Sequence, residues 1–417
     1  MTEKLKARLD AILPTLRTLG QWLLLAGLAG TACGLAGAAF TWCVAQATAL
    51  RGTHPWLLYC MPLAGLAIVF SYRAAGMEND SGTNQIIASV RGGERPPARL
   101  APLIFLGSVL THLTGGSAGR EGAALQIGGS ISAGIGRLLR LGDRSINTII
   151  QCGMAGLFSA LFGTPLTATV FAMEVVNVGH FRYAALFPCL LSALIANSIP
   201  RSLGLPAEAY HLTSMPEMGL LPMLQCGGLA ILAALVSIAF CVLMHETGRL
   251  YKKFIPNHYL RSLAGAALVI VLTLIEGSGD YNGAGGHIIE LAVEGQVHVP
   301  WAFLWKMLFT ALTLGAGFRG GEIVPTLFIG STFGCAAGPL FGLDPAFGAA
   351  VSMIALFCGV VNCPLASIFL AIELFGGEGL LFFALACALS FLVSGRYSLY
   401  SSQRLVYSKL EARLDQP

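Results

Sequence analysis

The side chains best placed to do chemistry are acids set among glycines in otherwise apolar sequence. Glu121 stands in GGSAGREGAALQIGGS (residues 115–130), with glycines on both sides and a helix-length apolar pattern beginning directly after it. The free N–H groups at such a helix start form a site for an anion, and glycine lets backbone approach the ion closely. A carboxylate there competes with a dissolved anion for the same N–H groups and lets go when protonated. One glutamate can therefore act as gate and proton carrier together. The other reading is structural: a carboxylate satisfied at its own helix start, or paired with adjacent Arg120.

Glu322, in GFRGGEIVP (residues 317–325), has the same pair of readings, with Arg319 as the ion-pair partner. The polar island DSGTNQII, Asp80 to Ile87, puts Thr83 and Asn84 after a glycine. Hydroxyl, amide and N–H donors there suit an anion, and equally an ordinary turn into a helix. Tyr400, beside serines in RYSLYSSQRLVYSK (residues 396–409), offers one phenolic donor, with Tyr397 and Tyr407 as alternatives. His112 reads as a hydrogen-bonded packing residue. Glu174 and Glu373 hold equivalent places in two related segments, which favours a structural role near helix ends.

These residues need a scaffold, and composition says which kind. Charged residues are 11% of the 417, against about 25% in soluble proteins. Counting glycine as apolar and leaving tyrosine out, the apolar share is roughly 65%, where soluble chains show about 45–50%. A soluble enzyme, a disordered chain, a collagen-like fibre and a disulfide-rich module are excluded, and unbroken apolar runs argue against a membrane barrel. The net charge of +4 comes from scattered basic residues with no stripe for nucleic acid. The 11 cysteines show no CxxC pair and read as small packing side chains, so neither metal nor cofactor is expected.

Runs without Asp, Glu, Lys or Arg cover 18–50, 52–72, 100–119, 145–173, 183–200, 218–245, 323–343, 345–372 and 379–395, each long enough to cross about 30 Å of hydrocarbon. Shorter runs at 122–136, 262–275 and 307–318 suggest half-helices or re-entrant segments shielded by protein. Lys4, Lys6, Arg8 and Arg17 at one end, and Arg396, Arg404, Lys409 and Arg413 at the other, place both termini in the cytoplasm by the positive-inside rule.

The chain also repeats itself. PLTATVFAME (165–174) returns 199 residues later as PLASIFLAIE (364–373), and REGAALQIGGS faces GEIVPTLFIGS upstream of the two copies. The expected architecture is an all-α polytopic membrane protein forming a single transmembrane domain over 1–417, with half 1 at about 18–200, half 2 at about 218–410, and no C-terminal soluble regulatory domain. Such halves are commonly related by a pseudo-two-fold in the membrane plane, with substrate bound where their short glycine-interrupted segments meet. Those segments open at Gly119 and Gly320.

With GREG, GGEIVP and the TNQ island in this order, the chain resembles the CLC family of chloride channels and anion/proton exchangers from about residue 20 to 410. The resemblance implies the CLC-like fold of two inverted repeats with broken and re-entrant helices, a homodimer with one pathway per subunit, and residence in a bacterial inner membrane. It is a transporter rather than an enzyme on this reading. GTNQI, residues 82–86, stands where chloride-selective members carry GSGIP, GGEIVP stands where they carry a GGIFAP-like motif, and Val175 falls where chloride exchangers carry an internal proton-transfer glutamate. All three departures resemble the fluoride-exporting branch. By resemblance Glu121 is the gate and proton carrier, Thr83, Asn84 and Gly122 line the anion path, Glu322, Ile323 and Val324 form the second-half part of the site, and Tyr400 is the central tyrosine. Val324 departs from the threonine that many members of the branch carry. The implied function is export of fluoride driven by inward protons, with chloride/proton exchange or a chloride channel of the same fold as the alternative, and a Glu121–Glu322 acid/base enzyme as a more distant one.

Overall fold

Helices dominate because the apolar runs can satisfy their backbone only internally in lipid, and the breaks fall where glycine and proline interrupt them. The computed structural model describes residues 3–205, 208–212, 214–297, 299–406 and 409, with side chains from Leu13 onward. Tyr407, Arg413 and the side chains of Lys4, Lys6 and Arg8 lie outside the described residues.

Among the described residues the first half forms α1 (Glu3–Thr53), α2 (Met61–Ala74), α3 (Thr83–Val90), α4 (Leu100–Leu113), α5 (Glu121–Leu138), α6 (Asp143–Phe162), α7 (Pro165–Glu174) and α8 (Leu186–Ser202). The second forms α9 (Leu220–Phe254), α10 (His258–Glu276), α11 (Gly286–Val293), α12 (Ala302–Gly315), α13 (Ile323–Ala337), α14 (Pro345–Val361), α15 (Pro364–Phe375) and α16 (Leu380–Val393). The order of long and short helices is the same in both, and so is the packing: α5 on α6 as α13 on α14, α1 on α8 as α9 on α16, α3 on α5 as α11 on α13. A short parallel pairing of Asn177–Val178 with Arg404–Leu405 ties the C-terminal segment to the loop after α7.

Equivalent elements also touch each other: α2 packs on α10 and α7 on α15. Self-complementary contact of this kind is the signature of a two-fold axis. It is sharpest at Glu174 and Glu373. The Glu373 carboxylate accepts from Leu166 N (2.9 Å), Thr167 N (2.8 Å) and Thr167 Oγ1 (2.6 Å), while Glu174 accepts from Leu365 N (3.2 Å) and Ala366 N (2.9 Å). Each acid at a helix C-terminus caps the N-terminus of its counterpart. The helices are therefore antiparallel, and the axis runs across them, as inverted topology requires. The structural role expected of these glutamates is what they perform.

Small residues let the helices of each half close up. A β-carbon on Gly128 would stand 2.1 Å from Gly153 O, and one on Gly334 2.1 Å from Gly348 O, so α5 on α6 and α13 on α14 meet backbone to backbone.

Several spans differ from the run-length reading. The run 145–173 folds as two helices, because Gly163 at φ +78° ends α6 and Pro165 opens α7. The run 345–372 breaks likewise, at Asn362 (φ +54°) and Pro364. Of 100–119 only the 14 residues of α4 are helical. The run 262–275, expected as a half-helix, lies in the 19-residue α10, long and apolar enough to span. Its first turn is capped by Asn257, whose Oδ1 accepts from Tyr259 N (2.9 Å) and Leu260 N (3.3 Å). Counting between Arg261 and Glu276 misses helix ends that carry charge.

Glu373→Ala is expected to orphan two N–H groups and a hydroxyl and to destabilise the protein by about 1–3 kcal/mol. Thermal unfolding of the purified protein checks this against Glu378→Ala, whose exposed position predicts no change.

Candidate functional site

Glycine brings the two halves together at their centre. Gly119 and Gly321 form an antiparallel bridge, each N–H donating to the other's carbonyl at 2.7 Å. A β-carbon on Gly321 would lie 2.4 Å from Gly122 N and 2.9 Å from Glu121 N, so no larger residue fits without separating the loops. The consequence is that the N-termini of α5 and α13 meet head to head. The first N–H groups of both lack intrahelical acceptors and carry positive dipole ends.

A buried lysine braces the first loop from behind. Lys306 Nζ donates to Gly283 O (2.7 Å) and Tyr281 O (3.1 Å), and Gly283 in turn pairs with Gly116 and Ala118 through backbone bonds of 3.1 and 3.3 Å. Asn282 Nδ2 donates to Gly115 O at 2.7 Å. His112 Nδ1–H donates to Ser108 O (2.8 Å) within α4, in keeping with its reading as a packing residue.

Glu121 is fully buried at the first position of α5. Its Oε2 accepts from the N–H groups of Arg120 (2.9 Å) and Val324 (3.3 Å), one from each half. Its Oε1 has no hydrogen-bond partner, and Arg120 Nε stands 3.9 Å from it. The carboxylate thus occupies donors an anion would use and is not neutralised by close contact with its neighbouring arginine.

Glu322 precedes α13 and forms no side-chain cap. The alternative pairing with Arg319 is not what the structure has: Arg319 Nη1 donates to Asp80 Oδ2 at 2.9 Å, and the guanidinium lies 3.8 Å from the Tyr72 ring centre. Glu322 Oε2 is buried without a partner, 2.8 Å from where a β-carbon on Gly122 would be. Gly122 is therefore the surface on which the second acid rests.

The remaining expected residues close around the same point. α3 starts after Gly82, whose φ of +64° favours glycine, and Thr83 Oγ1 donates to Gly122 O at 3.3 Å. Asn84 Oδ1 accepts from Ser402 N at 2.9 Å, which ties the tyrosine loop to the first half. Tyr400 is 2% exposed with an unpartnered hydroxyl, whereas Tyr397 is 49% exposed. Ile323 is buried, and Val324 serves through its backbone N–H.

Thr83, Asn84, Glu322 and Tyr400 line a cavity of about 560 Å³. Glu121 is not in its lining and is fully buried. Two features were not singled out in the sequence. Gln126, one turn along α5, has a buried unpartnered Oε1 and an Nε2 that donates to Gly122 O (3.1 Å) and Thr83 Oγ1 (3.4 Å). His245, Arg249 and Lys252, from the last turns of α9, give the cavity basic walls that favour anion entry. Their i, i+4 and i+7 spacing in the polar last turns of a long apolar helix was the available signal.

Three buried polar atoms without partners, Glu322 Oε2, Gln126 Oε1 and Tyr400 OH, belong to residues that line this cavity, and a fourth, Glu121 Oε1, belongs to the residue before Gly122, on which Glu322 rests. Unpaired buried polar atoms are costly, and their convergence marks a place that a small ion or a proton completes.

The chain is similar to known proteins of one family. A family profile described as voltage gated chloride channel matches residues 63–395. A chloride/fluoride channel protein of Pseudomonas syringae pv. tomato is 35% identical over 411 residues, covering 97% of this chain and 91% of its own. The crystal structure of a CLC-type fluoride/proton antiporter superposes with a TM-score of 0.90 at 32% identity, covering 93% of this chain and 98% of its own. A slow cyanobacterial Cl⁻/H⁺ antiporter matches in fold, with TM-score 0.78, 22% identity, and coverage of 89% and 94%.

Two substitutions separate packing from ion handling. Gly321→Ala is expected to force the loops apart at an overpacking cost of about 1–3 kcal/mol and lower the thermal midpoint. Tyr400→Phe removes a hydroxyl without partners, so the midpoint should stay unchanged. A marked drop for Tyr400→Phe would mean that the hydroxyl is a structural bond.

Proposed function

The chain belongs to the voltage-gated chloride channel (CLC) family, and we propose that it is a fluoride/proton antiporter that exports fluoride from the cytoplasm as protons move inward. The observation that carries the reading is a second carboxylate at an anion site: Glu322 Oε2, buried and unpartnered, beside the backbone that holds Glu121. A buried carboxylate next to chloride, a very weak base, costs repulsion with little return. Fluoride is compact and basic and accepts a hydrogen bond or a proton from a protonated carboxyl group. Two acids around fluoride can therefore replace part of its hydration shell and exchange protons with it directly, which accounts for a mechanism without an acid at Val175.

In this mechanism fluoride enters the basic-walled cavity and reaches Thr83, Asn84 and Tyr400. Protonation of Glu121 weakens its hold on the N–H groups of Arg120 and Val324. Fluoride takes those donors together with the Gly122 and Ile323 backbone at the two helix starts. When Glu121 passes its proton inward, by way of the fluoride or Glu322, the carboxylate reclaims the donors and the anion leaves on the other side. No covalent step is involved, and neither a metal nor a cofactor is called for.

The basic residues around the cavity, with Arg261 at the start of α10, support a cytoplasmic opening and cytoplasmic termini in a bacterial inner membrane. A homodimer with one pathway per subunit is what membership of the CLC family implies.

Vesicles holding the purified chain and loaded with fluoride or chloride provide the test. Fluoride efflux accompanied by proton uptake is expected to exceed chloride efflux; equal or faster chloride transport would transfer the assignment to chloride/proton exchange. Glu121→Gln is expected to reduce fluoride-driven proton movement to the level of empty vesicles.

A further inference from the structure

Arg120 lies between two carboxylates. Its Nη2 donates to Glu208 Oε1 at 2.7 Å, and its Nε faces Glu121 Oε1 at 3.9 Å. Glu208 belongs to the segment joining the two halves, after α8 and before α9. The segment is pinned to both: Glu208 N donates to Phe162 O at the end of α6 (3.2 Å), and Tyr210 N to Leu374 O near the end of α15 (2.8 Å). The carboxylate is thus held in place by backbone on either side of the internal axis. Side-chain exposure rises in order, from 0% at Glu121 to 19% at Arg120 and 24% at Glu208. Neither Arg120 nor Glu208 lines the basic-walled cavity. The two partly exposed groups thus sit outward of the closed centre and outside the lining of the cavity.

We propose that Glu208 is a positioning residue for the gate: by holding the Arg120 guanidinium, it keeps that charge from closing on Glu121 and so lets Glu121 take up a proton. The proposal rests on the reading of Glu121 as gate and proton carrier.

The physical reason is a competition for one cation. A guanidinium in direct contact with a carboxylate favours its ionised form. Glu121 Oε1 has no other partner, so Arg120 released from Glu208 needs only a small swing to bond it. That bond would pin the gate in its charged, donor-blocking state. With Glu208 ionised, the stronger bond at 2.7 Å draws the guanidinium outward. The other titratable or charged groups that bear on Glu208 are Tyr210, on the same segment, and Glu290, on α11. Tyr210 is neutral through the working range, and Glu290 repels Glu208 without offering Arg120 a second bond. Glu208 also repels Glu121 through space, a weaker influence than that of Arg120, so loss of Glu208 is expected to act mainly through Arg120 and to a smaller extent directly.

The sign follows. If Arg120 moves onto Glu121, more acid is needed to protonate the gate, and proton-coupled flux falls at neutral pH while persisting at lower pH.

Proteoliposomes with equal pH on both sides, driven by an anion gradient and measured with fluoride and with chloride, test this. Glu208→Gln is expected to shift the half-maximal pH of flux toward acid by about one unit, on the scale of a carboxylate gaining a cationic neighbour. Glu208→Asp, which keeps the charge, should restore part of the shift. In an Arg120→Gln background, adding Glu208→Gln should give a clearly smaller shift, leaving only the loss of Glu208's own through-space repulsion of Glu121. An unshifted profile in Glu208→Gln, equal loss of flux at every pH, or additive effects in the double variant would overturn the proposal. A wild-type profile flat with pH would instead remove Glu121 as gate and take this proposal with it. Should chloride be the carried ion, the shift is read on chloride flux, so an error in the ion and an error in Glu208 give different results.

Discussion

The architecture depends on one backbone contact, the bridge between Gly119 and Gly321. Its two 2.7 Å hydrogen bonds join loops from different halves, and only glycine allows the approach. Everything at the site follows from it. Two helix N-termini are brought nose to nose, their unsatisfied N–H groups point into one small region, and an acid from each loop is carried there with them. A single helix start would hold an anion from one side. Two opposed ones can surround a small ion whose hydration shell is hard to replace.

The reciprocal glutamates do a related job at the periphery. Glu174 and Glu373 each close the orphan N–H groups of the helix that carries the other, which fixes α7 and α15 antiparallel. An interface of this kind is self-complementary, so one sequence motif used twice stabilises both halves. The site acids and the capping acids differ by their partners, not by their residue type or apolar setting. The caps are fully engaged by N–H and hydroxyl donors. Glu121 and Glu322 each keep a buried oxygen free. A carboxylate with all its donors supplied is fixed, and one with a vacancy can exchange a donor for a proton.

Placement of cations follows the same division. Lys306 is buried against the carbonyls of Tyr281 and Gly283 and braces the loop before Glu121. Arg319 is committed to Asp80 and Tyr72. Arg249, paired with Glu246, and Lys252 stand at the cavity wall, where their field favours an anion without a tight contact.

Much of this was legible in the sequence. Apolar content and run length determined a helical membrane protein, the copies of PLTATVFAME determined two related halves, and glycines around Glu121 and Glu322 marked backbone that must come close to something. Those features are local, being consequences of hydrocarbon solvation and of side-chain size at a position. What the glycines approach was decided only by the fold, because Gly119 and Gly321 are about two hundred residues apart and meet through the internal two-fold. Glu322's freedom from Arg319, Asn84's bond to the Ser402 loop and Glu208's hold on Arg120 likewise depend on which helices pack together. A residue's type states what it can donate or accept; which partner it finds, and whether it is left with a vacancy, is settled by tertiary contacts that no local pattern encodes.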